Sequence, residues 1–258
     1  MTTQAPAKPR PAVVAAAVLM VGLVCGTGSV GLLSEMVTGT VERSDSFTTA
    51  TDRLVVDADG DVTIGPSDDG RVHVRTIVGH GLDEPEIVQE STPSGVRLTA
   101  RCRGFLAVRC DVTHEVAVPP AFEVVVDGAD GDVTASGLSG PLTVDRSHGD
   151  ITVTEVAGPL DLRSNTGEII AEAVRAPVVR AATDVGDVRL ELLVVPQSAD
   201  LVSETGEVDL AVPDGTAYRV DAATDNGEER VLVPTDPGSP HALRAISHIG
   251  DVTVRPSR

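Results

Sequence analysis

The chain has 258 residues, 41% of them hydrophobic, and a formal net charge of −19 from 39 acidic and 20 basic side chains, a size and apolar content that sustain one or two domains with a real core. Such an acid excess repels phosphate backbones and excludes nucleic acid as a partner. Lys8 is the only lysine, so no lysine nucleophile or phosphate-binding lysine exists in the folded part, and with Phe47, Phe105, Phe122 and Tyr218 as the only aromatics the core must be built from small branched side chains.

In chain order, residues 1–11 read as a cytoplasmic N-terminus and residues 12–33 as a transmembrane anchor. No charge falls between Pro11 and Ser34, and the 22 residues from Ala12 to Leu33 span ~33 Å as a helix, against a hydrocarbon core of ~30 Å. Lys8 and Arg10 precede the segment while Glu35 and Glu42 follow it, which places the N-terminus inside and the remainder outside the cell membrane as a single-pass protein. A cleaved signal peptide and a lipid-modified Cys25 are the competing readings, but no convincing small-x-small site follows the apolar run and Val24 fits poorly before a lipidated cysteine. Residues 34–50 read as a linker.

Residues 51–121 alternate in hydrophobicity over 71–77, 86–90, 96–102 and 107–118, with Gly, Pro and Asp between. These read as an N-terminal β cap that shields the open edge of whatever follows. Cys102 and Cys110, with seven residues between them in the exported part, are expected to form a disulfide, since an oxidising compartment favours one and no second cysteine pair or histidine cluster supports a metal site.

From 122 to 256 a glycine followed by Asp or Glu recurs. The glycines are Gly131, Gly149, Gly167, Gly186, Gly206, Gly227 and Gly250; the acids are Asp132, Asp150, Glu168, Asp187, Glu207, Glu228 and Asp251; the intervals are 18, 18, 19, 20, 21 and 23 residues. Gly60-Asp61 is an earlier relative, read as outside the array. Seven and five residues before each glycine all fourteen positions are apolar, an outcome of about four in a million at random, so each repeat is two half-buried strands joined at a tight polar turn. Two positions after the glycine stand Val133, Ile151, Ile169, Val188, Val208, Glu229 and Val252, with Glu229 the exception. Length variation is confined to the other connection, from 137–140 up to 234–240, as in a stacked array.

The expected architecture is therefore all-β: a β-solenoid, parallel β-helix-like, with repeats stacked at ~4.8 Å so that Val stacks on Val. An antiparallel sandwich gives no reason for identical register in every repeat. With its Gly-Asp-Val-Thr units, the Ser164 to Glu168 turn and the cysteine pair before the array, the chain resembles a bacterial adhesin-like β-strand-repeat family of uncharacterised function that often carries an N-terminal membrane segment. The resemblance covers roughly residues 50–256 and implies a surface role; it brings no catalytic residues.

Catalytic signatures do not assemble. Gly79-His80-Gly81 and Asn165-Thr166-Gly167 stand in the reverse of the order a polygalacturonase needs, without its carboxylate or lysine; His114-Glu115 lacks the second histidine of a zinc protease; and 137–140 is one residue short of a nucleophile elbow. No cofactor is expected. The acidic column reads first as a solvated ridge, with divalent-cation contact as the sharper alternative. The functional expectation is a non-enzymatic, membrane-anchored extracytoplasmic domain that binds or scaffolds an envelope or extracellular partner, self-association included; a polysaccharide-active enzyme and an envelope-state sensor are the alternatives.

Overall fold

The structure is a computed structural model that describes residues 39–48, 51–57, 59–80, 86–92, 95–101 and 110–257. The expected anchor and Cys102 fall outside these residues, and of Cys110 only the backbone is described, so the disulfide expectation does as well. Thr40–Arg258 form one compact unit. Among the described residues there are 21 strands and no helix, hence no helix long and apolar enough to cross a membrane.

The repeat array supplies seven two-strand coils: β8 Glu123–Asp130 with β9 Val133–Ser136, β10 Leu142–His148 with β11 Ile151–Thr154, β12 Leu160–Thr166 with β13 Ile169–Val174, and β14 Val178–Val185 with β15 Val188–Leu192. There follow β16 Ser198–Thr205 with β17 Val208–Val212, β18 Arg219–Asn226 with β19 Glu229–Val231, and β20 Ala242–Ile249 with β21 Val252–Pro256. The first strand of every coil joins one sheet and the second joins another, all parallel to their neighbours, with Leu142 against Val124 and Leu160, and Ile151 against Val133 and Ile169. The inward residues at those register positions, such as Val124, Leu142, Leu162, Val133 and Ile151, are fully buried between the sheets, and among the described residues the apolar core is Val, Leu, Ile and Ala with Phe122 and Tyr218. Each such side chain contributes about 1.5–3 kcal/mol of burial.

Ahead of the array lie β1 Gly39–Phe47, β2 Arg53–Asp57, β3 Asp61–Pro66, β4 Val72–His80, β5 Glu86–Thr92, β6 Gly95–Arg101 and β7 Cys110–Val118. The segment read as a linker thus contains β1. The unit read as outside the array is inside it: β2 and β3 pair in parallel with β8 and β9 as a full coil. On its other side β6 and β7 form one more coil, pairing in parallel with β2 and β3. The expected cap is made by β5 and β4, which add antiparallel outside β6 and β7, with β1 outside β4.

The stack does not follow chain order at either end. The coil β2–β3 sits between β6–β7 and β8–β9, and the last coil, β20–β21, sits between β16–β17 and β18–β19. The long connections of the last repeats are the crossings this requires: 213–218 skips a level and 232–241 returns to fill it. Two features make this order favourable. Glu229, which in chain order would lie in the core between Val208 and Val252, stands instead on the outermost coil and is exposed, and burying an unpaired carboxylate costs several kcal/mol. On the outer face, the neighbours become Asp161, Arg180, Asp200, Arg244 and Asp221; chain order would place Asp200 beside Asp221.

Candidate functional site

The seven glycines form one column, continued by Gly60, in the stacking order 60, 131, 149, 167, 186, 206, 250, 227. A Cβ on Gly149, where φ is +137°, would lie 2.2 Å from the Gly131 carbonyl oxygen, so the turn demands glycine both for its backbone and for the approach of the next coil. The acidic residue after the glycine is equally structural. Asp61, Asp132, Asp150, Asp187 and Asp251 each accept, through Oδ1, the backbone N–H of the acidic residue one level on, at 2.8–3.0 Å: Asp132, Asp150, Glu168, Glu207 and Glu228 respectively. Among the described residues the rung is made wherever the accepting level holds Asp. Glu is one methylene longer, and Glu168 turns aside to pair with Arg189. The aspartates of this column are thus engaged in a ladder from level to level; no group of three or more His, Cys, Asp or Glu that could hold a metal is found among the described residues.

A second column, three residues before the glycine, carries hydroxyls. Ser164, Thr183, Ser203, Ser247 and Thr224 donate to the carbonyls of Gly149, Gly167, Gly186, Gly206 and Gly250 at 2.8–3.1 Å. The pattern breaks where Gly128 occupies the position and Arg146 the next. Arg146 is fully buried and reaches past that glycine, donating from Nη2 to the Gly60 carbonyl at 3.3 Å and from Nη1 to that of Asp130 at 3.5 Å. Burial lowers its pKa, while Asp59, Asp127, Asp61 and Asp130 oppose that shift. One long side chain thus serves the carbonyl that a serine at position 128 would serve.

What the columns leave over are the outer sheet faces. On one, a groove of about 910 Å³ is bordered by Ile170, Glu172, Arg189, Glu191, Leu232 and Arg255, with Arg255 bidentate on Asp209 at 2.9 Å. Nearer the N-terminal end of the same sheet, a second groove of about 660 Å³ is lined by Ser44, Ser46, Thr63, His73, Arg75 and Glu115. There Arg75 bridges Glu42 and Glu115, at 2.8 and 3.0 Å. His73 lies on the Asp69 carboxylate, which this bond, Ser67 and the Arg71 N–H hold down at about 2. His148 and His248, the turn histidines, lie against Asp130 at 3.2 Å and Asp225 at 4.0 Å, and the geometry brings neither to the other. These are arginine–carboxylate surfaces, with the hydroxyl of Ser67 and the ring of His73 both on the Asp69 carboxylate.

The family model for Toastrack DUF4097 matches residues 111–254, more than half of the chain. The chain belongs to the Toastrack DUF4097 family. No curated protein matches it. Among solved structures, one described as a "putative adhesin" from Parabacteroides distasonis is 14% identical over 85% of this chain and 97% of its own, with a TM-score of 0.47. Another, given the same description and from Bacteroides fragilis, is 16% identical over 84% and 97%, at 0.44. A third, from Parabacteroides distasonis and described as a "putative lipid binding protein", is 10% identical over 84% and 97%, at 0.42. The family resemblance read from the sequence therefore stands, resting on the match over residues 111–254.

The Toastrack match begins at 111 and so leaves out β2–β3, the coil that sequence reading also set aside. Two features went unread in the sequence. The hydroxyl column was visible as Ser or Thr three residues before five glycines. The inward-facing His114, Thr76 and Gln89 carry no such period, and only the cap's tertiary placement brings them together.

Proposed function

We propose that this Toastrack domain is a non-enzymatic binding or scaffold module of the cell envelope, held by the N-terminal segment at the membrane with residues 40–258 outside. The observation that carries this reading is how the repeat residues are used. Glycine, aspartate and hydroxyl columns are spent on joining coil to coil, and the remaining chemistry lies on broad outer faces of paired Arg and Asp or Glu. Such faces suit an extended polar partner contacted over several levels, in the way solenoids present long surfaces. Paired carboxylates around a cleft with aromatic platforms, which a glycan-cleaving site calls for, are not what the two grooves offer.

The test is a binding and cleavage assay run together. Full-length protein in detergent is mixed with envelope polysaccharides and with peptidoglycan fragments, then assayed for retention and for newly released reducing ends. Retention without cleavage is expected, weakened when Arg189 and Arg255 are both replaced by Ser. Sequence-specific cleavage would overturn the reading. Protease added to intact cells tests the placement and is expected to digest residues 40–258.

A further inference from the structure

The mainly aliphatic interior of the stack holds a buried histidine near its N-terminal end. There His114 of β7, fully buried, points between the sheets with Nδ1 2.9 Å from Thr76 Oγ1 on β4, and Gln89 Nε2 of β5 donates to the same oxygen at 2.7 Å. The three residues form a hydrogen-bonded chain from one sheet to the other, and two of its members belong to the antiparallel cap strands β4 and β5. Thr76 Oγ1 accepts from Gln89 and has the capacity either to donate to His114 Nδ1 or to accept from it, so the neutral imidazole carries its one proton on Nδ1 or on Nε2. That Nε2 and Gln89 Oε1 are buried without hydrogen-bond partners.

The surroundings of the ring decide what a second proton does. From β4 and β5 it faces the neutral Thr76 and Gln89, its register partner on β3 is Val62, and the charge that reaches it is that of Arg146 from β10. The carboxylates of Asp59, Asp127, Asp61 and Asp130 act on the Arg146 guanidinium. A protonated ring would carry a donor on each nitrogen, with its Nε2–H facing no acceptor, and place a cation in an aliphatic interior beside a second cation.

We propose that His114 is the trigger of an acid-sensitive latch: protonation puts a charge, with an unmatched Nε2–H, into the buried chain that ties the cap to the coils and releases the β4–β5 cap, uncovering the β6 and β7 edges while the coils beyond stay stacked. Those edges then present unpaired backbone to an incoming strand. The direction follows from linkage. Desolvation first, and Arg146 second, lower the His114 pKa from 6.5 to about 4. The latch is therefore at full strength above the unfolded value and weakens as pH falls from 6.5 toward 4.

Hydrogen–deuterium exchange of the full-length protein at pH 7.5 and 4.5, with labelling times scaled for intrinsic exchange, reads this directly. Residues 72–80 and 86–92 should exchange on the order of 50-fold faster at the lower pH, with 142–212 unchanged. In His114→Gln, neutral at both values, the difference should shrink to a few-fold. Uniform loss of protection along the stack, or the same selective loss in H114Q, would overturn the proposal. If H114Q does not fold, the imidazole resonances of the wild-type protein decide: a His114 ring still neutral at pH 5 supports the latch, and one titrating near the ordinary ~6.5 refutes it.

Discussion

Replacing Arg146 by Ser tests whether this side chain does the work of a missing serine one level along the stack, at position 128. The change removes the donors to the Gly60 and Asp130 carbonyls, which costs about 1–3 kcal/mol when the acceptors stay buried. It also leaves a void where the aliphatic stem lay, while relieving the desolvation of a buried cation. The net loss should be about 2 kcal/mol. Gly128→Ser alone should also destabilise, by about 1–3 kcal/mol, because the new hydroxymethyl group meets the Arg146 stem. Combined, the two substitutions rebuild the regular ladder: the hydroxyl introduced at position 128 stands over the Gly60 carbonyl and the one introduced at position 146 over that of Gly131, as Ser164 stands over Gly149. The double variant should come within about 1 kcal/mol of wild type, a favourable coupling of several times the usual additivity error. Urea unfolding followed by far-ultraviolet circular dichroism measures all four proteins. If the double variant loses the sum of the single losses, the idea that Arg146 stands in for a serine at position 128 is wrong.

Ala173 adopts φ +53° at the position where Glu155 has +56° and Gly137 has +67°; Ala173→Gly should therefore raise stability by about 1 kcal/mol, read as a higher melting temperature. Asp150→Asn keeps an acceptor for the Glu168 N–H and should be nearly neutral, whereas Asp150→Ala should cost about 1 kcal/mol; millimolar calcium should leave the wild-type melting temperature unchanged, and a rise would mean that the ridge collects cations. Glu229→Val makes the inward column of the outermost coil fully apolar, so a shift from monomer toward dimer is expected in sedimentation velocity, and an unchanged profile would show that the charge does not guard this edge.

The coil unit, its register and its small-residue core were legible in the sequence because parallel stacking at one strand spacing forces the same position in every repeat to meet the same neighbour. Stacking order was not legible, because register is blind to it: Val220 and Leu243 fit the same column. Two residues carried the missing information. Glu229 is a charge in a core column, tolerable only on an end coil, and Arg244 completes an alternation of charge only when it stands between Asp200 and Asp221. The acidic ridge was found by spacing, but its ladder role depends on which carboxylates reach the next N–H, a one-methylene distinction that becomes meaningful only once the levels are known. The His114 chain was hidden because its members come from β4, β5 and β7, which the period does not govern.

The most direct measurement of this account is which coil neighbours which. Val202 and Ile246 are register partners facing out of the same sheet, while Ala223 lies one level further on, so adjacent partners should place their Cα atoms within disulfide reach and the others at about twice the ~4.8 Å strand spacing. With cysteines at 202 and 246, mild oxidation should give a crosslink identified by peptide mapping; with cysteines at 202 and 223 it should not. The reverse outcome would mean that the coils stack in chain order, and the arrangement described above would be contradicted.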